Sequence, residues 1–242
     1  MTTTAVFCDP PHEEGLGALS TAPISSSERA DLYAAMCADT FRAVKESGTD
    51  LLVNYRGENA DGLRAIAADA LDSPDEVRFE PQVGETFSGR VGNTLTHLLE
   101  TEDESSVIAL TPAAPFLTRS DIDGMAMKLR RNDLVLGPAS DGRVYAACFG
   151  TTIDFADAYA PPAITTLTDR ALDANLDVGY APLSPLLETR DDLAGVLALI
   201  DARRRAGRQI PADTAEWFSE RGLALTDDGN ELTLSRPDTD KP

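Results

Sequence analysis

The sequence predicts an α/β protein, a three-layer α/β/α sandwich around a mostly parallel sheet. Strand-length apolar runs alternate along the chain with segments whose apolar residues return every three or four positions. Four or more of these strand–helix units stand in series, and parallel strands joined by crossover helices are covered on both faces. Several helical segments also open on side chains that can cap their first free amides.

The first strand is TAVFC (4–8), followed by DPPHEEGLGALSTAPI, too rich in Pro, Gly and Ser to be regular. Ser25 stands three residues before Glu28, the reciprocal capping-box spacing, so a helix starts there. Its buried face is Tyr33, Met36, Cys37, Phe41 and Val44, and Gly48 ends it. LLVNY (51–55) is the second strand, DGLRAIAADAL (61–71) the second helix and VRFE (77–80) the third strand. In RVGNTLTHLLE (90–100), Val91, Leu95 and Leu98 share one face, which leaves His97 off it as a solvated side chain. SVIAL (106–110) is the fourth strand and runs into TPAAPFLT, where two prolines forbid regular structure. Thr118 with Asp121 caps the next helix, whose face is Ile122, Met125 and Leu129.

LVLGPASDGRVY (134–145) then breaks at Gly-Pro, turns through Ala-Ser-Asp-Gly and resumes as a strand. Asp-Gly between strand-like runs is a strong hairpin signal, because Gly takes φ > 0 at no steric cost. A helix (165–175), a strand (177–181) and a long helix beginning in ETRDDL (188–193) complete the series, the last with Leu193, Val196, Leu197 and Ile200 facing inward. From Gly207 the character changes to a short helix with Pro211 near its first turn, a small hairpin and a polar tail expected to fray. The division is therefore a main domain over 1–206 and an appendage over 207–242 packed on it.

The chain carries 41 acidic residues, 26 of them Asp, against 21 basic ones, and Lys occurs only at positions 45, 128 and 241. At a formal net charge of −20, self-repulsion opposes compaction at low salt. Molar salt relieves it by shortening the Debye length to about 3 Å. Asp-rich, Lys-poor composition resembles that of cytoplasmic proteins from salt-loving microbes such as haloarchaea. The same charge argues against nucleic acid or an anionic membrane as partner, since no basic stripe is present. Cys8, Cys37 and Cys148 follow no C-x-x-C spacing and read as reduced core thiols. MTTTAVFCDPP lacks the basic and apolar regions of a signal peptide, and no apolar run approaches a membrane span, so a cytoplasmic location is expected.

The usual short catalytic motifs are absent: GxGxxG after the first strand, GxxxxGK[ST], GxSxG and HExxH. Carboxylates at strand ends remain, namely Asp141 in PASDG and Glu188, Asp191 and Asp192 in ETRDDL. Mg²⁺ or Mn²⁺ bound with a diphosphate needs only one or two protein carboxylates. Each candidate also has a structural role open to it. Asp141 suits the apex of a turn, and Thr189 with Asp192 suits a helix cap.

Four segments in order, LYAAMCADTF (32–41), QVGETFSGR (82–90), DLVLGPASDGRVY (133–145) and TTLTDRALDANLDVGYAPLSPLLETRDDL (165–193), carry a resemblance. From about Ala5 to Ile200 the chain resembles glycosyltransferase-like proteins of the GT-A (nucleotide-diphospho-sugar transferase) fold. Asp141 and Gly142 match that family's Asp-Gly and Tyr145 its second aromatic, while Arg143 replaces a Gly. Glu188 falls on the second Asp of D-x-D-T, Thr189 on the Thr and Leu186 on the first Asp; Arg90 matches an Arg at the head of the third helix. The family's fourth strand ends in G-[ST]-D-x-P, whose Asp helps hold a metal, and Ala113 stands in its place. Its phosphate-cradling first loop carries Lys or Arg, where this chain has Glu13 and Glu14.

The resemblance implies a transferase acting on a nucleotide sugar or nucleoside triphosphate. Asp141 would be the catalytic carboxylate, Mg²⁺ or Mn²⁺ would sit between Asp141 and Glu188, and Arg90, Gly142 and Arg143 would contact the nucleotide. The departures imply an alternative, a scaffold of the same fold that binds a ligand or partner without catalysis. The oligomeric state is not encoded in any of these features.

Overall fold

A computed structural model describes residues 1–11, 16, 19–227, 229 and 232–236. Strand β1 (Thr2–Cys8) leads to α1 (Ser26–Glu46), β2 (Asp50–Tyr55), α2 (Asp61–Ala70), β3 (Arg78–Pro81) and α3 (Phe87–Thr96). After a π-turn over His97–Thr101 come β4 (Ser106–Leu110), α4 (Arg119–Lys128), β5 (Leu134–Pro138) and β6 (Val144–Phe149). Helix α5 (Ala163–Asp173), β7 (Val178–Tyr180), α6 (Arg190–Arg205), α7 (Ala212–Glu220), β8 (Ala224–Asp227) and β9 (Leu232–Ser235) complete the chain.

The seven-stranded sheet runs β3-β2-β1-β4-β6-β5-β7, and β6 alone is antiparallel to its neighbours. Alternate residues of each strand feed two cores. From β1, Val6 and Cys8 pack with Met36, Phe41 and Ile200 on one face, whereas Ala5 and Phe7 pack with Val91, Leu95 and Leu167 on the other. Helices α1, α2, α4, α6 and α7 thus cover the first face, and α3 and α5 the second.

The expected caps form. Ser25 and Glu28 exchange hydrogen bonds with each other's amides, as do Thr118 with Asp121 and Thr189 with Asp192. The third helix begins at Phe87, three residues before the sequence pattern places it, because Thr86 supplies the cap by accepting from the Gly89 amide at 3.0 Å. His97 is exposed at its end, 3.2 Å from Glu102. All three cysteines are buried and unpaired.

Helix α7 rests on α1 and α6, one layer out from the sheet, and its Trp217 and Phe218 join the first core. Its open N-terminus is capped from α1: Asp39 accepts from the amides of Asp213 at 3.1 Å and Thr214 at 2.9 Å. Burial pushes the Asp39 carboxyl up to about 6 in spite of those bonds. Strands β8 and β9 form the expected antiparallel hairpin, and the tail from 237 onward lies outside the described residues. Among the described residues no helix is long and apolar enough to cross a membrane.

Strands β1, β2 and β3 step to one side, and the chain then returns to lay β4 on the other side of β1. This reversal is a topological switch point. In open α/β sheets it leaves a crevice beyond the carboxyl ends of the strands, where ligands bind.

Candidate functional site

A two-lobed crevice occupies that position. Both lobes share Phe7, Phe87, Thr111 and Glu188, with cavity volumes near 180 and 300 Å³. Together they reach the few-hundred-Å³ range of small-molecule sites. The first lobe is walled by Tyr145, Tyr159 and Pro161 and closed by the β5–β6 turn. Phe7, Phe87 and Tyr159 meet edge to face, with centroids 5.8 and 5.0 Å apart, so this wall is a fixed aromatic surface. The second lobe is lined by Cys8, Asp9, Tyr33, Met36, Gln82, Arg90 and Ala113, with the Asp9 carboxylate 3.7 Å from the Arg56 guanidinium.

The β5–β6 turn is the hairpin anticipated from Asp-Gly. Asp141 (φ 59°) and Gly142 (φ 70°) both adopt the left-handed region, and the Arg143 amide donates to the Ser140 carbonyl at 3.2 Å, the pattern of a type I′ turn. A Cβ at position 142 would also lie 2.6 Å from Pro162, so glycine is required there twice over. At 83% exposure the Asp141 side chain stands at the apex, largely in solvent.

The centre of this end of the crevice is Arg143. Its guanidinium binds Asp192 through two parallel contacts of 2.9 and 2.8 Å, Glu188 at 3.1 Å and Asp141 at 3.4 Å. Nε and Nη2 also donate to the carbonyl and hydroxyl of Ser140. The fork matches the planar carboxylate of Asp192, the geometry of strong ion pairs. Hydrogen bonding to Asp192 raises the Arg143 pKa further, so the charge is permanent. Asp192 is only 10% exposed, and burial alone would raise its pKa; Arg143 and the amides of Glu188 and Thr189 outweigh it and hold the carboxyl below its usual value. Asp192 therefore caps α6 and binds Arg143 with the same side chain.

Asp141 and Glu188 accordingly meet, but across a guanidinium. Among the described residues no three His, Cys, Asp or Glu side chains gather as a metal-donor set. The three carboxylates and the guanidinium sum to a net −2, so the obstacle to a cation is occupancy and not repulsion: the guanidinium stands where an ion would have to sit to reach Asp141, Glu188 and Asp192 together. These residues, arranged this way, do not fit a divalent ion. Ala113 adds no ligand: it is buried, and its carbonyl accepts from the Leu187 amide at 2.8 Å, tying the β4 loop to the segment before α6.

Arg90 projects from the first turn of α3 into the second lobe. Its Nε donates to Gln82 Oε1 at 2.6 Å and its Nη1 to the Glu85 carbonyl at 3.0 Å. The guanidinium carbon lies 5.9 Å from the centroid of Phe87. Gln82 is oriented in turn by donating to the carbonyls of Cys8 and Asn54, at the ends of β1 and β2. Among the described residues no carboxylate comes within ion-pair distance of Arg90. Glu13 and Glu14, the acidic pair of the first loop, lie outside the described residues.

The crevice thus gathers Arg90, Asp141, Gly142, Arg143 and Glu188 along its rim, with Arg90 in one lobe, Asp141, Gly142 and Arg143 around the other, and Glu188 lining both. Sequence reasoning missed Asp192 as the main partner of Arg143 and Gln82 as the support of Arg90. A Gln eight residues before an Arg was visible within QVGETFSGR, but only the sheet shows that its amide spans two strand ends.

Residues 40–150 match a family model described as an uncharacterized protein conserved in bacteria (DUF2064), a span from within α1 to the end of β6. No curated protein matches the chain. Among solved structures, a protein assigned as a nucleotide-diphospho-sugar transferase from Desulfovibrio desulfuricans G20 is similar at a TM-score of 0.75 and 18% identity, over 91% of this chain and 94% of that one. A cytidylyltransferase from Leptospira borgpetersenii is similar at 0.54 and 11%, over 90% and 94%. A CMP:2-keto-3-deoxy-manno-octonic acid synthetase solved with CTP is similar at 0.52 and 10%, over 84% and 99%. At these identities the likeness is one of fold, and the fold is the GT-A-like α/β/α sandwich of sugar and nucleotidyl transferases.

Proposed function

We propose that the chain binds a nucleotide sugar or a nucleoside triphosphate in this crevice and acts as a glycosyl- or nucleotidyltransferase. The observation that carries the reading is Arg90, a cation without an acidic partner among the described residues, set beside an aromatic lobe at the switch point. A ligand with an anionic diphosphate and a flat or hydroxylated remainder is complementary to that pairing. Similar folds in a nucleotide-diphospho-sugar transferase and a CTP-bound synthetase support the same ligand class.

In this reading Arg90, braced by Gln82 and the Glu85 carbonyl, receives the charge of the diphosphate. The displacement occurs at the anomeric carbon or the α-phosphorus, and Arg90 stabilises the negative charge that grows on the leaving group. Asp141, at the open apex of its turn, is the candidate carboxylate for orienting the acceptor, with Gly142 and Arg143 shaping the floor. The permanently acidic surface and the buried thiols suit a cytoplasmic setting.

A second reading, a non-catalytic scaffold that binds the same class of ligand, is favoured by Ala113 and by the saturation of Arg143 with carboxylates. Thermal unfolding in molar KCl with UDP-, GDP- and dTDP-sugars and the triphosphates tests the ligand class. A ligand at 100 times its Kd adds about 2.7 kcal/mol of stability. Stabilisation by none of them overturns both readings, and release of diphosphate or of the nucleotide separates the enzyme from the scaffold.

A further inference from the structure

Three carboxylates face one cation of the chain itself, the guanidinium of Arg143, from the two nitrogens of its fork. Asp192 spends Oδ1 on Arg143 Nη2, and Oδ2 on Arg143 Nη1 and the amides of Glu188 and Thr189. Glu188 Oε2 and Asp141 Oδ2 each face the same guanidinium, from Nη1 and Nη2. A divalent ion would need these oxygens at ~2.0–2.6 Å in its own coordination geometry. Arg143 cannot yield by losing its proton.

We propose that the Arg143 guanidinium takes the place of a divalent cation in this crevice. Mg²⁺ or Mn²⁺ is then neither held by Asp141 and Glu188 nor required for an anionic ligand. The ligand cannot take its countercharge from Arg143, whose charge is offset by three carboxylates, so its anionic group is directed to Arg90 in the other lobe. Only this last step rests on the ligand class proposed above. The exclusion of metal concerns the protein alone.

The test titrates Mn²⁺ alone into the full chain in molar KCl and follows the free-ion signal by electron paramagnetic resonance, with Glu188→Gln as the control for diffuse binding to surface acids. Wild type and E188Q are expected to give superimposable curves. Arg143→Gly is expected to gain one saturable site at least ten-fold tighter than any wild-type site, lost again in R143G/E188Q, while Arg143→Lys gains none. A stoichiometric submillimolar wild-type site that disappears in E188Q overturns the proposal. So does a folded R143G chain that gains no site. If R143G does not fold, the wild-type and E188Q comparison still decides. Nucleotide binding enters none of the Mn²⁺ titrations, so failure of the ligand reading leaves these outcomes decisive and is distinguishable from failure of this one. Where a nucleotide does stabilise the chain, its apparent Kd is expected to change less than two-fold when EDTA replaces Mn²⁺; a ten-fold or greater loss overturns the proposal.

Discussion

Two arginines line one crevice and are held in opposite ways. Arg143 is enclosed by Asp141, Glu188 and Asp192, whereas Arg90 is held by a neutral amide, a carbonyl and the edge of an aromatic wall. The first has its charge consumed inside the protein and so contributes to structure. The second keeps its charge available and so contributes to recognition. A guanidinium in a cleft is therefore informative about ligands only once its internal partners are known.

The largest expected effect breaks the first end. Arg143→Ala leaves the largely buried Asp192 and its two acidic neighbours without their countercharge. Removing one partner of a buried pair costs ~3–5 kcal/mol, and partial exposure lowers this to about 2–4 kcal/mol. Urea unfolding in molar KCl measures it, and a loss below about 1 kcal/mol would show that the cluster holds little of the fold.

Arg90→Ala is expected to act on the other quantity. A hydrogen bond to a charged group is worth about 1.5–3 kcal/mol, so nucleotide affinity falls roughly 10- to 100-fold. Stability should fall by about 1–2 kcal/mol, less than in R143A, since two hydrogen bonds of a half-exposed guanidinium are lost but no ion pair is broken. A variant that unfolds without losing affinity would reverse the assignment of the two ends.

The two ends also separate by pH. The folded-state pKa of Asp192 lies below its unfolded value, so its contribution is present above the ordinary carboxylate range and is lost as pH falls through the depressed value. Wild type is expected to lose stability on acidification below about pH 4. In R143A this part of the acid dependence should flatten, and in R90A it should persist; equal slopes in all three chains would remove Asp192 as its source. The smallest effect is expected at the apex. Asp141→Asn keeps a residue that tolerates the left-handed region and removes a long, exposed contact, so stability should move by less than about 0.5 kcal/mol. A larger loss in a melting curve would place Asp141 within the ionic cluster rather than at its margin.

Most of the fold was legible because its signals are local. The capping pairs Ser25–Glu28, Thr118–Asp121 and Thr189–Asp192 announce helix starts from a three-residue spacing, and all three form. Asp-Gly announced the hairpin, because the left-handed backbone at both central residues is a property of those residues. The π-turn at His97–Thr101 had no such signal, since it carries the apolar rhythm of the helix it ends. In the site, Asp141 drew attention because it matches a pattern, while Arg143 departs from that pattern and turned out to hold the cluster together.

The sequence by itself determined the α/β alternation, the two-sided burial of the strands, the caps and the turn, because each is settled by neighbours within a few residues. Only the tertiary structure decided which charges meet. Arg143 lies 45 and 49 residues from Glu188 and Asp192, and Arg90 leans on a Gln82 whose own contacts reach back 74 residues to Cys8. Charge pairing depends on distance and burial, which no local pattern reports. The same residue type is therefore spent internally at one end of the crevice and left available at the other.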